Sequence, residues 1–479
     1  MLNLIRTIIT QDAEVDDQNS LRHILLYAND IEIQGIVQTS SIFHWKGQPG
    51  KTGPSDKADY DQPYRWTGVK WMQDVMDDYA VDYKHLVTHD GNYPFPDHLR
   101  NLIKVGNIGY PGEMDASTPG SELIREKILD DDPRPLYIQV WGGTNTIARA
   151  LYDIEQDYKD DENWLSIKEK IEKKVILTAC GEQDNTYQNY ISEVYPNIQF
   201  VKCVMMNSYG YGWNNMPEGS SKETLRADFM QEHILNKGAL MSGYATWADD
   251  KYYEGEENRS QFGSNKSLLV DWWGKKYGMG THIPYDFLSE GDSPTFFCLL
   301  PWGLRCLEDF SYGGLSGRYI KDNTKKNSKG ITLNYWNPVE DLYIDKYTES
   351  MWYYVSSIQR DLAARASWCI TDDKEEAPVL SIQESLDMKA DKGTTVELHI
   401  NKEEHVLYKI KYYKDASSYK GNVSVSLDDS IKIEIPDDVK TNDILHIIIE
   451  ATNDYKHKIS RFTQIIIKIN RSVYEKCCY

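Results

Sequence analysis

The chemistry of this chain is concentrated at residues 8–19, IITQDAEVDDQN. An apolar run stops there, and Asp12, Glu14, Asp16 and Asp17 follow at once. Like charges repel, and desolvating a carboxylate is costly unless something neutralises it. Two readings fit these residue types. One is a solvated turn whose carboxylates cap the next helix. The other is a divalent cation, because several oxygen ligands at the mouth of a sheet suit Ca2+.

Further polar residues fall at the ends of other apolar runs. CGEQDN carries Glu182 and Asp184, which could act as a general acid or accept a sugar hydroxyl, or could form a solvated turn. SIFHWKG sets His44 beside Trp45. An imidazole there could protonate a leaving oxygen while the indole stacks on a sugar face, and a packed loop is the plainer account. Asn145 could hold a ligand hydroxyl or cap a helix. Tyr209, Tyr211 and Trp213, in NSYGYGWNN, read as an aromatic loop with glycine hinges, for sugar stacking or for ordinary packing. His89–Asp90 is a similar but weaker pair; Trp272–Trp273 reads as core and residues 321–330 as a solvated loop.

The elements that must position these groups alternate. Residues 4–10 form a mostly continuous apolar run, as a strand buried on both faces requires. Leu21, Ile24, Leu25 and Ala28 then mark one helical face, and residues 31–41 read as the next strand. Strand, helix, strand in this order implies a parallel sheet. Helices are expected at 66–78, after an N-cap at Ser121, and after Gly143; strands are expected at 135–143, 173–184 and 198–206. The result is a mostly parallel α/β sheet, which places ligands at the carboxyl ends of its strands. Beyond Ala377–Pro378 the texture changes to short β-branched runs such as NVSVSL and SIKIEIP, in which Ile431, Ile433 and Ile435 share a face. This predicts an antiparallel Ig-like sandwich, and domains at 1–375 and 376–479.

A chain of 479 residues exceeds one ordinary core. Its formal net charge of −21 makes nucleic acid and anionic membrane surfaces poor partners. No apolar run reaches transmembrane length. The opening residues read as a first strand and not as a signal peptide, so the expectation is a cytoplasmic protein, or a secreted one in mature form. Seven cysteines at irregular spacing, without a C-x-x-C, suit reduced thiols better than a disulfide framework or a zinc site. The 34 Tyr and 13 Trp agree weakly with a carbohydrate ligand, and a homo-oligomer is left open.

TQDAEVDDQNSLRHILLYAND resembles the opening of the nucleoside hydrolases, whose first strand ends in D-x-D-x-x-x-D-D. It resembles more fully the nucleoside-hydrolase-like domain of cellulose-binding proteins grouped as a domain of unknown function, where the motif reads T-D-x-E-x-D-D-Q-N-S and TSSIFHWKG follows. VWGGTNTIARAL is similar to that fold's G-P-L-T-N-x-A segment, EGDSPTFF and YGGLSGRY to later blocks, and DILHIIIEATND to the family's β-sandwich. The resemblance implies a nucleoside-hydrolase-like (Rossmann-like) α/β domain followed by an all-β Ig-like sandwich. It implies Ca2+ ligands at Asp12, Asp17 and Asp292, an orienting Asp16, and a backbone carbonyl from Thr144. Asp12 would take a proton from a water that attacks an anomeric carbon.

The departures shape the expected reaction. Thr10 stands where the family has its first aspartate, and Gly291 where many nucleoside hydrolases have a histidine that helps the base leave. The asparagines that grip ribose hydroxyls have no clear counterpart. A purine nucleoside is therefore not the expected substrate. The leading expectation is a calcium-dependent hydrolase of a glycosidic bond in a carbohydrate or glycoside. Its catalytic candidates are Asp12, Glu182, Asp184 and His44, with Asn145, Trp45, Tyr209 and Trp213 as substrate contacts. The alternatives are a non-catalytic binder of cellulose-type polysaccharide, and an N-ribohydrolase of an unusual nucleoside.

Overall fold

The computed structural model of the chain describes residues 4–53, 58–256, 282–339 and 352–470. Trp272–Trp273 lies outside the described residues. The contacts divide the chain into two compact units, residues 1–300 with 315–373, and residues 301–314 with 374–479.

The first unit is built on eight strands: β1 (Ile5–Gln11), β2 (Ile31–Gln38), β3 (Ile103–Val105), β4 (Leu136–Val140), β5 (Val175–Ala179), β6 (Gln199–Lys202), β7 (Tyr319–Lys321) and β8 (Tyr335–Pro338). They lie in the order β3-β2-β1-β4-β5-β6-β8-β7. Every neighbouring pair is parallel except β7 with β8. Ile8 and Ile9 of β1 are fully buried, as the continuous apolar run requires. The helices are α1 (Val15–Leu25), α2 (Trp71–His89), α3 (Pro96–Asn101), α4 (Pro119–Leu129), α5 (Asn145–Tyr158) and α6 (Trp164–Lys174). Ile124, Ile147 and Leu151 from α4 and α5 pack with Ile8, Ile138, Val140 and Leu177 of the sheet in one core. The strand order reverses at β1, which has β2 on one side and β4 on the other, and such a switch point opens a crevice at the carboxyl ends of the strands. No helix among the described residues is long and apolar enough to cross a membrane.

Several boundaries differ from the sequence reading. The second strand stops at Gln38, and Thr39 to Ser41 turn into the crevice, where Ser40 N–H bonds the Asn107 carbonyl. The helix expected at 66–78 runs from Trp71 to His89, and Gly68, at φ +85°, lies outside helical geometry before it. Thr118, not Ser121, caps α4. Its hydroxyl accepts the Ser121 N–H, while the Ser121 hydroxyl accepts the Thr118 N–H, a reciprocal capping box before Pro119.

In the second unit β9 (Asp387–Ala390), β10 (Thr395–Leu398), β11 (Val406–Tyr412), β12 (Ser424–Leu427), β13 (Ile431–Glu434), β14 (Ile444–Asn453) and β15 (Ser460–Ile469) form two sheets, ordered β10-β13-β12 and β11-β14-β15-β9. Ile431, Ile433 and Ile435 are buried together with Leu445, Ile447, Ile465 and Ile467. At roughly 1.5–3 kcal/mol per buried aliphatic side chain, this alternation accounts for the unit's cohesion. One pairing departs from the antiparallel expectation, because β9 runs parallel to β15.

The segment 301–314 joins this second unit instead of the first. Phe462 N–H bonds the Trp302 carbonyl at 2.9 Å, Gln464 N–H bonds the Gly303 carbonyl at 3.2 Å, and the Arg461 guanidinium lies over the Trp302 ring. Gly303 has φ +91°, and a Cβ there would sit 1.9 Å from the Phe462 carbonyl oxygen. Gly303→Ala is therefore expected to destabilise this unit by about 1–3 kcal/mol, seen as a lower urea midpoint for the full chain. An unchanged midpoint would show that the segment does not brace β15.

Candidate metal and acid centre

Three chain segments build the centre at the carboxyl ends of β1, β4 and β5. After Gln11 the backbone turns sharply at Ala13, whose φ of 74° is rare for a residue with a Cβ and costs about 1–3 kcal/mol. This turn sets Asp16 and Asp17 in the first turn of α1, beside Asp12. Asp12 N–H donates to Asp17 Oδ1 at 3.3 Å, and Glu14 N–H to Asp12 Oδ1 at 3.4 Å. After β4 the chain passes within touching distance. A Cβ on Gly142 would lie 2.8 Å from that of Asp12, and one on Gly143 would lie 2.4 Å from the Ser40 carbonyl oxygen. The two glycines allow this approach.

The third segment carries Asp292. Ser289 donates its hydroxyl to Asp16 Oδ2 at 3.1 Å, and Glu290 N–H bonds the Tyr209 carbonyl at 3.1 Å. The Glu290 carboxylate is buried and held by His23 Nδ1 at 2.6 Å and by the hydroxyls of Tyr244 and Ser293. Gly291 is placed so that a Cβ would meet Asp16 Oδ2 at 3.0 Å, so a larger residue there would press on the Asp16 carboxylate.

One carboxylate oxygen from each of Asp16, Asp17 and Asp292 lies within 4.8 Å of the other two. These three side chains and Asp12 are all less than 5% exposed: Asp12 1%, Asp16 4%, Asp17 1%, Asp292 3%. No lysine or arginine among the described residues forms an ion pair with any of them. Burial, with added repulsion from Glu14, pushes the Asp16 carboxyl up to about 7. Burial and the charges of Asp292, Asp12 and Asp16 hold Asp17 well above the usual carboxylate range; burial with Asp16 and Asp12 does the same to Asp292. Burial also raises Asp12, against the charge of His44. Asp12 Oδ2 and Asp16 Oδ1 are buried without a hydrogen-bond partner. Crowded anionic oxygens, unpaired and dry, are a donor set that fits a hard divalent cation. Thr144 is the N-cap of α5; its carbonyl accepts the Ala148 N–H at 2.8 Å, and its hydroxyl meets Asp184 and Thr186.

A second group adjoins this centre. His44 Nε2 lies 3.5 Å from Glu14 Oε1 and 3.3 Å from Glu256 Oε1. Arg65 pairs with the same two oxygens, at 2.7 Å from that of Glu14. Burial and Arg65 pull the His44 imidazole down, but the hydrogen-bonding Glu14 and Glu256 and the charge of Asp12 carry it above its ordinary value.

The remaining sequence candidates have packing roles. Asp184 accepts the N–H groups of Asn145 and Thr186 and the hydroxyls of Thr144 and Thr186, so it fixes the start of α5 and offers no free proton-transfer face. Glu182 accepts the Gln188 N–H at 2.7 Å and lines a separate polar cavity of about 540 Å³ with Tyr187, Lys325 and Tyr335. The Asn145 amide donates to Ser40 Oγ and to the Asn107 and Glu113 carbonyls. Trp45 is buried, stacked on Tyr64 and bonded through its indole N–H to the Gln62 carbonyl. Tyr209 packs against Phe287 and Phe297, and Trp213 donates its indole N–H to the Phe287 carbonyl. Stacking on a sugar needs an open ring face, and none of these three rings presents one, because each is sealed in the protein interior. Tyr211 is the member of that loop whose phenol lies within electrostatic reach of Asp16 and Glu14. His89 stacks on Trp368, and its Nε2 meets the Thr371 carbonyl, so it is structural too. In the loop 321–330, Asn327 is buried and its amide donates to the Ser192 carbonyl, while most of its neighbours are exposed.

Sequence reasoning counted Glu14 among the acids without giving it a role, and missed Arg65 and Glu256. These two lie 191 residues apart and carry no local signal. It also missed the Ser289 and Glu290 supports of the Asp292 turn and the Cys180 thiol, which burial and the charges of Asp292, Asp16 and Asp17 push up.

One solved structure and two family models agree with this architecture. A solved structure described as a nucleoside hydrolase-related hypothetical protein from Saccharophagus degradans, associated with carbohydrate metabolism, matches at 21% identity and a TM-score of 0.70, covering 98% of this chain and 100% of that one. A plant nucleoside hydrolase aligns at 13% identity, covering 76% of this chain and 99% of that one, with a TM-score of 0.32. No curated protein sequence matches the chain. A family model described as the cellulose-binding protein Sde0182 C-terminal domain matches residues 401–469. Another, described as the cellulose-binding Sde182 nucleoside hydrolase-like domain, matches residues 6–319, which is more than half of the chain, and the chain belongs to that family.

Proposed function

We propose that the acidic centre binds a calcium ion and that the protein hydrolyses a glycosidic bond in a carbohydrate or glycoside. The observation that carries this reading is the pair of buried, unpartnered oxygens, Asp12 Oδ2 and Asp16 Oδ1, beside the clustered Asp17 and Asp292. Asp12, Asp16, Asp17 and Asp292 would hold the ion, Asp16 being fixed through its other oxygen by Ser289, and the Thr144 carbonyl would add a neutral oxygen. When bound, such an ion supplies counter-charge and makes a neighbouring water more acidic. Asp12 then serves as the base, because its carboxylate is bound by only weak local donors and is positioned by the backbone at Gly142. Burial of the surrounding groups keeps bulk water from the reacting centre.

A second reading, retention of a polysaccharide without turnover, draws support from the cellulose-binding description of the family. The two separate in one experiment. The purified protein is incubated with a panel of glycosides and with insoluble cellulose, with calcium and with a chelator. Calcium-dependent sugar release supports hydrolysis. Retention on cellulose with no release from any glycoside supports binding alone.

A further inference from the structure

Glu182 opens onto a cavity, whereas Trp45, Tyr209 and Trp213, the rings expected to meet a sugar, are sealed. That cavity, of about 540 Å³, lies between the helical residues 187–194 and the loop before β8, and both walls belong to the first unit. Its volume is that of a small-molecule site, which runs from roughly 300 to 1,000 Å³. Tyr187, Leu333 and Tyr335 supply a buried, mostly apolar part of the lining. Glu182, Gln188, Asn189, Lys325 and Lys326 supply much of the polar part.

The walls are pinned by bonds that leave those five side chains alone. The Asn327 amide donates to the Ser192 carbonyl at 3.1 Å, and its side-chain oxygen accepts the N–H groups of Lys329 and Ile331. The Glu193 carboxylate accepts the N–H and the hydroxyl of Ser328, each at 2.6 Å. Leu333 N–H bonds the Lys325 carbonyl at 3.0 Å. A groove already in shape spares a ligand the entropy of ordering it. Glu182 is half-buried; one of its oxygens is fixed by the Gln188 N–H at 2.7 Å, and the other has no hydrogen-bond partner among the described residues. The Lys325 ammonium lies 5.3 Å from the centre of the Tyr335 ring, and its charge reaches Glu182. Among the described residues the side chains of Lys325, Lys326, Gln188 and Asn189 donate no hydrogen bond.

Donors and acceptors therefore stand unspent side by side over an apolar floor. A simple anion would meet Glu182, and a metal cation would meet Lys325 and Lys326, so neither suits the whole lining. A neutral ligand rich in hydroxyls suits all of it. Each hydroxyl donates to the carboxylate or accepts from an ammonium, and a carboxamide does both. We propose that this groove binds a neutral oligosaccharide, with Glu182 accepting from its hydroxyls and Lys325, Gln188 and Asn189 donating to them. The inference rests on the carbohydrate ligand that both readings above share, and not on hydrolysis. None of the groove's residues belongs to the acidic centre, so the groove holds sugar without an ion. The cellulose-binding description of the family makes a cello-oligosaccharide the probe.

The full chain and its variants Glu182→Ala, Lys325→Ala and Asn189→Ala are titrated with cellohexaose in a calorimeter, in chelator, so that no turnover intervenes. The wild type is expected to bind. Kd should rise at least about 10-fold in Glu182→Ala and Lys325→Ala, which lose bonds to a charged group, and about 3-fold in Asn189→Ala. Glu182 also holds the Gln188 N–H, but Lys325 and Asn189 are exposed, and their truncation reads the groove and not the fold. Wild-type affinity in both Lys325→Ala and Asn189→Ala would overturn the proposal, even with Glu182→Ala weakened. Binding that appears only when calcium is added would place the sugar at the acidic centre and overturn it too. Tighter binding of hexagalacturonate, an anionic chain, would overturn the neutral ligand. A wild type that binds no cellohexaose overturns the groove alone, because sugar release from the glycoside panel reads the acidic centre separately.

Discussion

Asp292→Asn is expected to be more stable than the wild type in chelator at pH 8, yet to lose most of the stabilisation that calcium gives. In the cation-free centre, Asp292 adds a buried charge facing Asp16, Asp17 and Asp12. The amide keeps the shape and removes that charge. The pH dependence follows from the same groups. The carboxyl of Asp16 is raised to about 7 in the folded chain, against about 3.9 when unfolded. A raised acid favours the fold while protonated, so its contribution is intact below about pH 4 and is lost as pH rises through 7. The cation-free wild type should therefore weaken between about pH 4 and 7. Calcium binds the ionised carboxylates and restores stability over that same window. At a hundredfold excess over its Kd it should contribute about 2.7 kcal/mol, visible as a rise in Tm that is larger at pH 8 than at pH 5. Thermal melts of both proteins, with calcium and with chelator, check this. A calcium shift in Asp292→Asn equal to that of the wild type would remove Asp292 from the ion's shell.

Asp12→Asn is expected to abolish sugar release, with a loss of about 10²- to 10⁴-fold in kcat and little change in the urea midpoint. The amide can still offer an oxygen to the ion, so calcium affinity should fall less than turnover. It cannot accept a proton. The fold tolerates the change because the side chain is isosteric and the close approach of Gly142 to its Cβ is preserved. Retained turnover in Asp12→Asn would assign the base elsewhere.

Much of the architecture is legible in the sequence because it is written in local patterns. The buried run that becomes β1, the alternation of Ile431, Ile433 and Ile435, and the glycines after β4 each follow from short-range periodicity or sterics. The boundaries read less well. The Thr118 cap, the late start of α2 at Trp71, and the parallel pairing of β9 with β15 depend on which hydrogen-bond partner reaches each group first. The attachment of residues 301–314 to the second unit is a long-range pairing along β15 and leaves no mark in the segment's own composition.

By itself the sequence determined that four acids crowd the end of the first strand, and that a sheet of parallel strands would present them at one edge. Spacing alone suffices for this, since strand, turn and helix fix where neighbouring residues point. Tertiary structure decided which aromatic rings are sealed in the core, that Asp184 is spent on the start of α5, and that Arg65 and Glu256 close around Glu14 and His44. The physical reason is that burial and charge compensation are properties of a place and not of a residue. A carboxylate or an imidazole acquires its protonation, its partners and its use only when segments distant in the chain arrive beside it.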